Sequence, residues 1–241
     1  MSKELFVYFS TPENDYKGSL AYKSILKMID CGILKSENWA CKTGNQDSLA
    51  FGYNKILSDD RVTGKILILM HSDLCVDDMF VKDKLEKRFS DCPKAGVVGI
   101  AGGRRIMNVP NRPSLWHLIT VQNELMGEVS QNVTSDELSP IVTTRFGLQG
   151  KRAIIVDGCF MAVDVDRIRA AGVTFDENSP SKFNFYDLIF SLRCYWAGVE
   201  VYVDSIHVIH TSPGLARRTK DFTDGDAYFK EKYLSKLFEK K

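Results

Sequence analysis

Two strand-like runs of the chain end in side chains that can hold a divalent cation. Lys65-Ile66-Leu67-Ile68-Leu69-Met70 gives way to His71-Ser72-Asp73, and a second β run gives way to His210-Thr211-Ser212-Pro213-Gly214. A carboxylate at such a strand end, beside a diphosphate, can ligate Mg2+ or Mn2+. It can equally cap the segment that follows, the commoner fate of Asp at a strand–loop junction. His207 shares a run with His210 but lies three residues earlier. In a strand the two point to opposite faces, so at most one reaches a common site. A lone His is also more often a hydrogen-bonded structural residue than a ligand. Asp187 follows Phe185-Tyr186 at the start of an apolar helical stretch. A carboxylate there complements the helix dipole, and the same placement keeps it ready to accept a proton from a hydroxyl.

The elements that must position these residues follow from periodicity. Residues 5–9, 39–42, 66–70, 96–101, 154–156, 160–163, 199–203 and 207–209 read as strands, and residues 20–29, 78–89, 166–171 and 185–196 as helices. A further helix spans residues 47–57 with Asp47 as its N-cap, and an amphipathic one runs from Asp226. Residues 104–152, punctuated by Pro110, Pro113 and Pro140, read as an irregular insertion over the sheet's carboxyl edge. The alternation predicts an α/β fold with a mostly parallel sheet flanked by helices. Ligands of such sheets collect beyond the carboxyl ends of the strands. Four of those ends gather polar or glycine residues: Ser10-Thr11, His71-Ser72-Asp73, Gly102-Gly103 and His210-Thr211-Ser212.

Composition narrows the function classes. The 241 residues carry 32 Lys and Arg against 31 Asp and Glu, with no basic stripe interleaved with aromatics, so no nucleic-acid partner is expected. Six scattered cysteines without a CxxC pair argue against zinc or a disulfide framework and for a reducing, cytoplasmic location. The charged start MSKELFVYFS lacks the features of a signal peptide, and no apolar run is long enough to span a bilayer. Neither GxGxxG nor GxxxxGK[ST] is present, so the glycines of residues 96–103 are a weak nucleotide signal. One domain over residues 1–241 is expected, with a nucleotide-binding half at 1–103, a sugar and acceptor half at 104–214, and a tail helix at 215–241.

Taken in order, the motifs carry a resemblance. Asn54 in Gly52-Tyr53-Asn54 is followed by His71-Ser72-Asp73, Gly96-Val-Val-Gly-Ile-Ala-Gly102, Met126-Gly-Glu-Val129 and Val156-Asp-Gly-Cys-Phe-Met161. Then come Phe175-Asp-Glu177, Phe185-Tyr-Asp187, Gly198-Val-Glu-Val201 and His210-Thr-Ser-Pro-Gly214. The chain resembles glycosyltransferase family 2-like proteins of the streptomycin-biosynthesis type, which have the GT-A fold. The resemblance implies Asp73 as the last acidic residue of the DxD motif, a metal ligand, with His210 completing the site and Mn2+ or Mg2+ as the cation. His71 stands where the first Asp usually does, and its role stays open. Asp187 matches the catalytic base of inverting members, although Tyr186 precedes it where a Glu is usual.

The same resemblance implies a nucleotide-sugar donor, UDP- or GDP-linked, and a glycan or other hydroxyl acceptor. Ser10, Thr11 and Pro12 would border the nucleobase. Gly102, Gly103, Asp157 and Gly158 would line the sugar pocket, with Asn54 among the cofactor-binding residues. Arg217, with Arg218, would contact the diphosphate or close over it, or else belong to a solvated segment. The expected reaction is a single inverting displacement. A GT-A-like module that binds a nucleotide sugar or glycan without transferring it is the alternative. A nucleotidyltransferase would show a basic, Gly-rich loop near the N-terminus, and residues 5–15 have none.

Overall fold

The computed structural model describes residues 3–132, 140–211 and 219–239. Its strands in chain order are β1 (Leu5–Ser10), β2 (Trp39–Lys42), β3 (Ile66–His71), β4 (Leu74–Val76), β5 (Ala95–Gly99), β6 (Ala101–Gly103) and β7 (Leu125–Asn132). They continue as β8 (Ile141–Arg145), β9 (Lys151–Ala153), β10 (Ile155–Val156), β11 (Phe160–Asp164), β12 (Glu200–Val203) and β13 (Val208–His210). The helices are α1 (Leu20–Asp30), α2 (Leu49–Leu57), α3 (Val81–Asp91), α4 (Trp116–Ile119), α5 (Val165–Ala170), α6 (Tyr186–Trp196), α7 (Lys220–Phe229) and α8 (Ser235–Phe238).

The first sheet runs β2-β1-β3-β11-β5-β12-β9. Among the described residues β2, β1, β3, β5 and β12 point one way, and β11 and β9 run against them. Successive residues of β1 serve opposite faces, as a pleated strand requires. Leu5, Val7 and Phe9 join Ile25 and Met28 of α1 in one apolar layer, while Phe6 and Tyr8 join Tyr53 and Ile56 of α2 in the other. Burial on both faces explains why β1 and β3 read as continuous apolar runs. A second sheet runs β10-β6-β7-β13-β4, and β8 forms a hairpin with β7 inside the insertion.

Local chemistry sets the boundaries. Ser19 caps α1 by accepting from Tyr22 N, and Gly32 at φ +71° lies just past the helix end. The expected cap at Asp47 is corrected by one residue. Ser48 Oγ accepts from Phe51 N, while Asp47 pairs with Lys42. The tail helix starts earlier than Asp226, at Lys220, and passes through a π turn at residues 230–234. That turn brings Tyr228 and Tyr233 to one side, where both hydroxyls donate to Asp176 at 2.8 and 2.6 Å. All six cysteines are free thiols. Among the described residues no helix is long and apolar enough to cross a membrane.

Candidate active site

Register brings the polar strand ends together. Ser10 lies opposite His71 across β1 and β3, and His210 lies opposite Leu74 across β13 and β4. The Thr211 amide then donates to the Asp73 carbonyl at 3.0 Å, closing one strand end onto the other. As a result His210 Nε2 stands 3.3 Å from Asp73 Oδ1, and His71 Nδ1 stands 3.9 Å from the same oxygen. Ligand atoms of His71, Asp73 and His210 all fall within 4.8 Å of one another.

Although it stands beside Asp73, the buried His210 Nε2 makes no hydrogen bond with any of the described residues. A buried nitrogen without a partner, facing a carboxylate oxygen and a second imidazole, fits a bound cation. Two imidazoles and one carboxylate suit a first-row transition ion better than Mg2+, which prefers oxygen donors. The electrostatics agree. Burial disfavours charge at Asp73, but the adjacent His210 outweighs it and holds the carboxyl below its ordinary range. Burial likewise opposes charge on His210, and Asp73 more than offsets it, so that imidazole is raised. Burial and then the neighbouring His210 lower His71, which keeps its ring neutral and able to ligate.

Two clefts meet at this cluster. The first, of about 260 Å³, is lined by Ser10, Thr11, Pro12, Asn45, Tyr53 and Asp73 among others. The Oδ1 atom of Asn45 accepts from Asp47 N, while its buried Nδ2 and the buried Ser10 Oγ have no partner among the described residues. The second cleft, of about 160 Å³, is lined by Trp116, Asp157, Gly158, Phe185, Asp187 and Phe222 among others. His71 and the exposed Phe183 border both.

Asp187 sits in the first turn of α6, and its Oδ2 accepts from Gly158 N at 2.8 Å. Burial first, and then the nearby negative charge of Asp157, push its carboxyl up to about 7. The helix start is held in an uncommon backbone conformation. Phe185 has φ 65°, and its ring is buried against Phe222 and Phe229 with centroids 5.0 and 5.9 Å away. Gly225 makes the room, because a Cβ there would lie 2.7 Å from the Phe185 ring. Packing thus sustains the strain that turns Tyr186 and Asp187 into the cleft. The Tyr186 hydroxyl reaches His71 Nε2 at 2.7 Å and the Gly158 carbonyl at 3.0 Å.

The remaining expected site residues divide. Asp157 and Gly158 line the second cleft. Asn54 lines neither, since its side chain exchanges two hydrogen bonds with the Phe175 backbone and donates to Glu177. Gly102 and Gly103 line neither cleft as well; their missing Cβ atoms admit Ile155 O and Thr120 Oγ1, which would stand 2.2 and 2.0 Å away. Their glycine character serves strand and helix packing. Arg217 and Arg218 lie outside the described residues. His207 turns away toward Ser130 and Asp77. Asn45 and Phe183 escaped sequence reasoning because each lies in irregular chain between elements, and Trp116 because the one-turn helix it starts, α4, sits inside the insertion read as irregular. A wider depression beside α3 contains Lys84, Lys87 and Arg88, but Asp78, Asp91 and Asp204 pair with them.

A mixed α/β sheet flanked by helices, with a cation-type cluster and a buried acid at its carboxyl edge, places the chain among GT-A-type glycosyltransferase folds. Residues 9–233 match the model of the glycosyltransferase like family, and the chain belongs to that family. A comparison with curated proteins found no match. Among solved structures the chain is similar to GalNAc-T7 with UDP, GalNAc and Mn2+, at 12% identity and TM-score 0.51, covering 87% of this chain and 44% of that one. It is also similar to S. aureus TarS 1-349, at 11% identity and TM-score 0.47, covering 87% and 61%. The chain therefore spans less than two thirds of the length of either.

Proposed function

We propose that the protein transfers a sugar from a nucleotide sugar to an acceptor hydroxyl in one inverting displacement that depends on a divalent cation. The observation that carries this is the shared wall at His71. It sets the His71–Asp73–His210 cluster against the first cleft while Asp187 faces the second. In this reading residues 1–103 supply most of the nucleotide cleft. The acceptor cleft draws on the 104–214 half, with Phe222 of the tail helix added.

Each side chain then has a task. The unpartnered Asn45 Nδ2 and Ser10 Oγ are free to meet a nucleobase or ribose, with Thr11 and Pro12 beside them. Asp187, oriented by the Gly158 amide, takes the proton of the acceptor hydroxyl as it attacks the anomeric carbon. A carboxyl lifted to about 7 is well matched to proton transfer near neutral pH. Aromatic walls from Trp116 and Phe222 suit the apolar faces of a sugar ring and keep water from the reacting centre. When bound, the cation would neutralise charge developing on the departing diphosphate.

The donor set supports Mn2+ over Mg2+, and the similar GalNAc-T7 structure holds UDP, GalNAc and Mn2+. A UDP-hexose is therefore the donor class we favour, and the motif order keeps the streptomycin-biosynthesis type as the favoured subfamily. Calorimetric titration with UDP in Mn2+ and in EDTA, followed by a donor-hydrolysis assay, tests the reading. Metal-dependent binding with turnover of a UDP-hexose is expected. Metal-dependent binding without turnover of any donor would instead make the chain a binding module.

A further inference from the structure

The Tyr186 hydroxyl has one proton and, among the described residues, hydrogen-bonds to two groups that could take it, the Gly158 carbonyl at 3.0 Å and His71 Nε2 at 2.7 Å. If the proton went to His71, the carbonyl would lose its donor inside the protein, at a cost. The assignment that satisfies all three groups runs in one direction: His71 Nε2–H donates to Tyr186, and Tyr186 donates to Gly158. A neutral imidazole carrying its proton on Nε2 leaves a lone pair on Nδ1. Nδ1 is the atom that faces Asp73 Oδ1 at 3.9 Å.

We propose that Tyr186 is a positioning residue that locks His71 in the Nε2–H tautomer and so makes its Nδ1 the third ligand of the cation site. The proposal rests on reading the His71–Asp73–His210 cluster as that site. It also assigns a task to the residue standing where the family usually has a Glu: the hydroxyl supplies the outer hydrogen bond that orients a metal-binding imidazole. The Tyr186 ring itself is held by edge contacts with Tyr53, 5.5 Å between centroids, and by Phe175 at 6.4 Å. Removing the hydroxyl therefore leaves the aromatic packing in place. The chain of bonds continues through Gly158, whose amide donates to Asp187. The groups that orient His71 and Asp187 are thus joined at one glycine.

Long-range 1H–15N spectra of the histidine rings in metal-free protein read the tautomer directly. The wild type should show His71 protonated on Nε2, and Tyr186→Phe should show a mixture of tautomers. Mn2+ affinity, read by the electron paramagnetic resonance of free Mn2+ at saturating UDP, should fall about tenfold in Tyr186→Phe. In a His71→Ala background the same substitution should cost nothing more, because its effect passes through His71. An Nδ1–H tautomer in the wild type would overturn the proposal, and so would an equal Tyr186→Phe loss in both backgrounds. If Tyr186→Phe does not fold, the wild-type tautomer decides. Absence of any Mn2+ binding by the wild type would overturn the cation site itself, a different result from binding with the wrong tautomer.

Discussion

Gly158 and Asp187 are in contact at two levels: the Gly158 amide donates to Asp187 Oδ2 at 2.8 Å, and a Cβ on Gly158 would lie 2.8 Å from Asp187 Cβ. The same Cβ would lie 2.3 Å from the Tyr186 hydroxyl. Gly158→Ala should therefore push the start of α6 away from the cleft. A displacement of about 1 Å is enough to cost about 100-fold in rate. Transfer assays with circular dichroism as a control check this; transfer at the wild-type rate would mean that Asp187 is not the reacting group.

Asp187→Asn keeps an acceptor for the Gly158 amide but removes the base. Its kcat should fall by about 10²- to 10⁴-fold, while UDP affinity measured by calorimetry stays within a factor of about two. In the wild type, kcat/KM should rise with pH up to about 7, where the free Asp187 loses its proton. A rate that does not change across that range would remove Asp187 from the chemistry.

The same carboxyl makes a stability prediction. Its folded value of about 7 lies above the ordinary 3.8, so between those limits the folded protein holds a proton that the unfolded chain has released. Stability from this group is complete below pH 4 and is lost as pH rises toward 7. Asp187→Asn lacks the loss and should be the more stable protein above pH 7, by about 1–2 kcal/mol after allowing for its contact with the cleft. Urea denaturation at pH 4.5 and 8 measures the difference, which should grow with pH.

Lining neither cleft, Arg88 makes a two-pronged pair with Asp204, Nε to Oδ2 at 2.8 Å and Nη2 to Oδ1 at 2.7 Å. Both side chains are largely covered, at 19% and 11% exposure, and the guanidinium also lies over Tyr202. Asp204→Ala strands a mostly buried cation and should destabilise the fold by about 3 kcal/mol. Denaturant midpoints read this, and a change under 1 kcal/mol would show that solvent already screens the pair.

The strands and helices were legible where packing imposes a clear period. Leu5 to Phe9 and Ile66 to Met70 are apolar throughout because helices cover both faces. Asp73 and His210 could be paired from the sequence only through the order of motifs. Their meeting depends on β13 pairing with β4 out of the first sheet, a long-range register that local patterning does not encode. His71 stayed open for the same reason, since the tyrosine that orients it lies 115 residues away. Asn54, Gly102 and Gly103 read as ligand-site residues because a polar amide or a glycine near a strand end carries that signal, and they line neither cleft. Here the amide braces Phe175 and the glycines let neighbouring chain approach closely.

In the proposed function His71, Asp73 and His210 hold the cation on which nucleotide binding depends. Calorimetric titration of UDP into wild type and Asp73→Asn, each with Mn2+ and with EDTA, tests it most directly. Tight binding is expected only for wild type with Mn2+, and weak binding unaffected by Mn2+ in Asp73→Asn. Equal UDP affinity in all four conditions would contradict it.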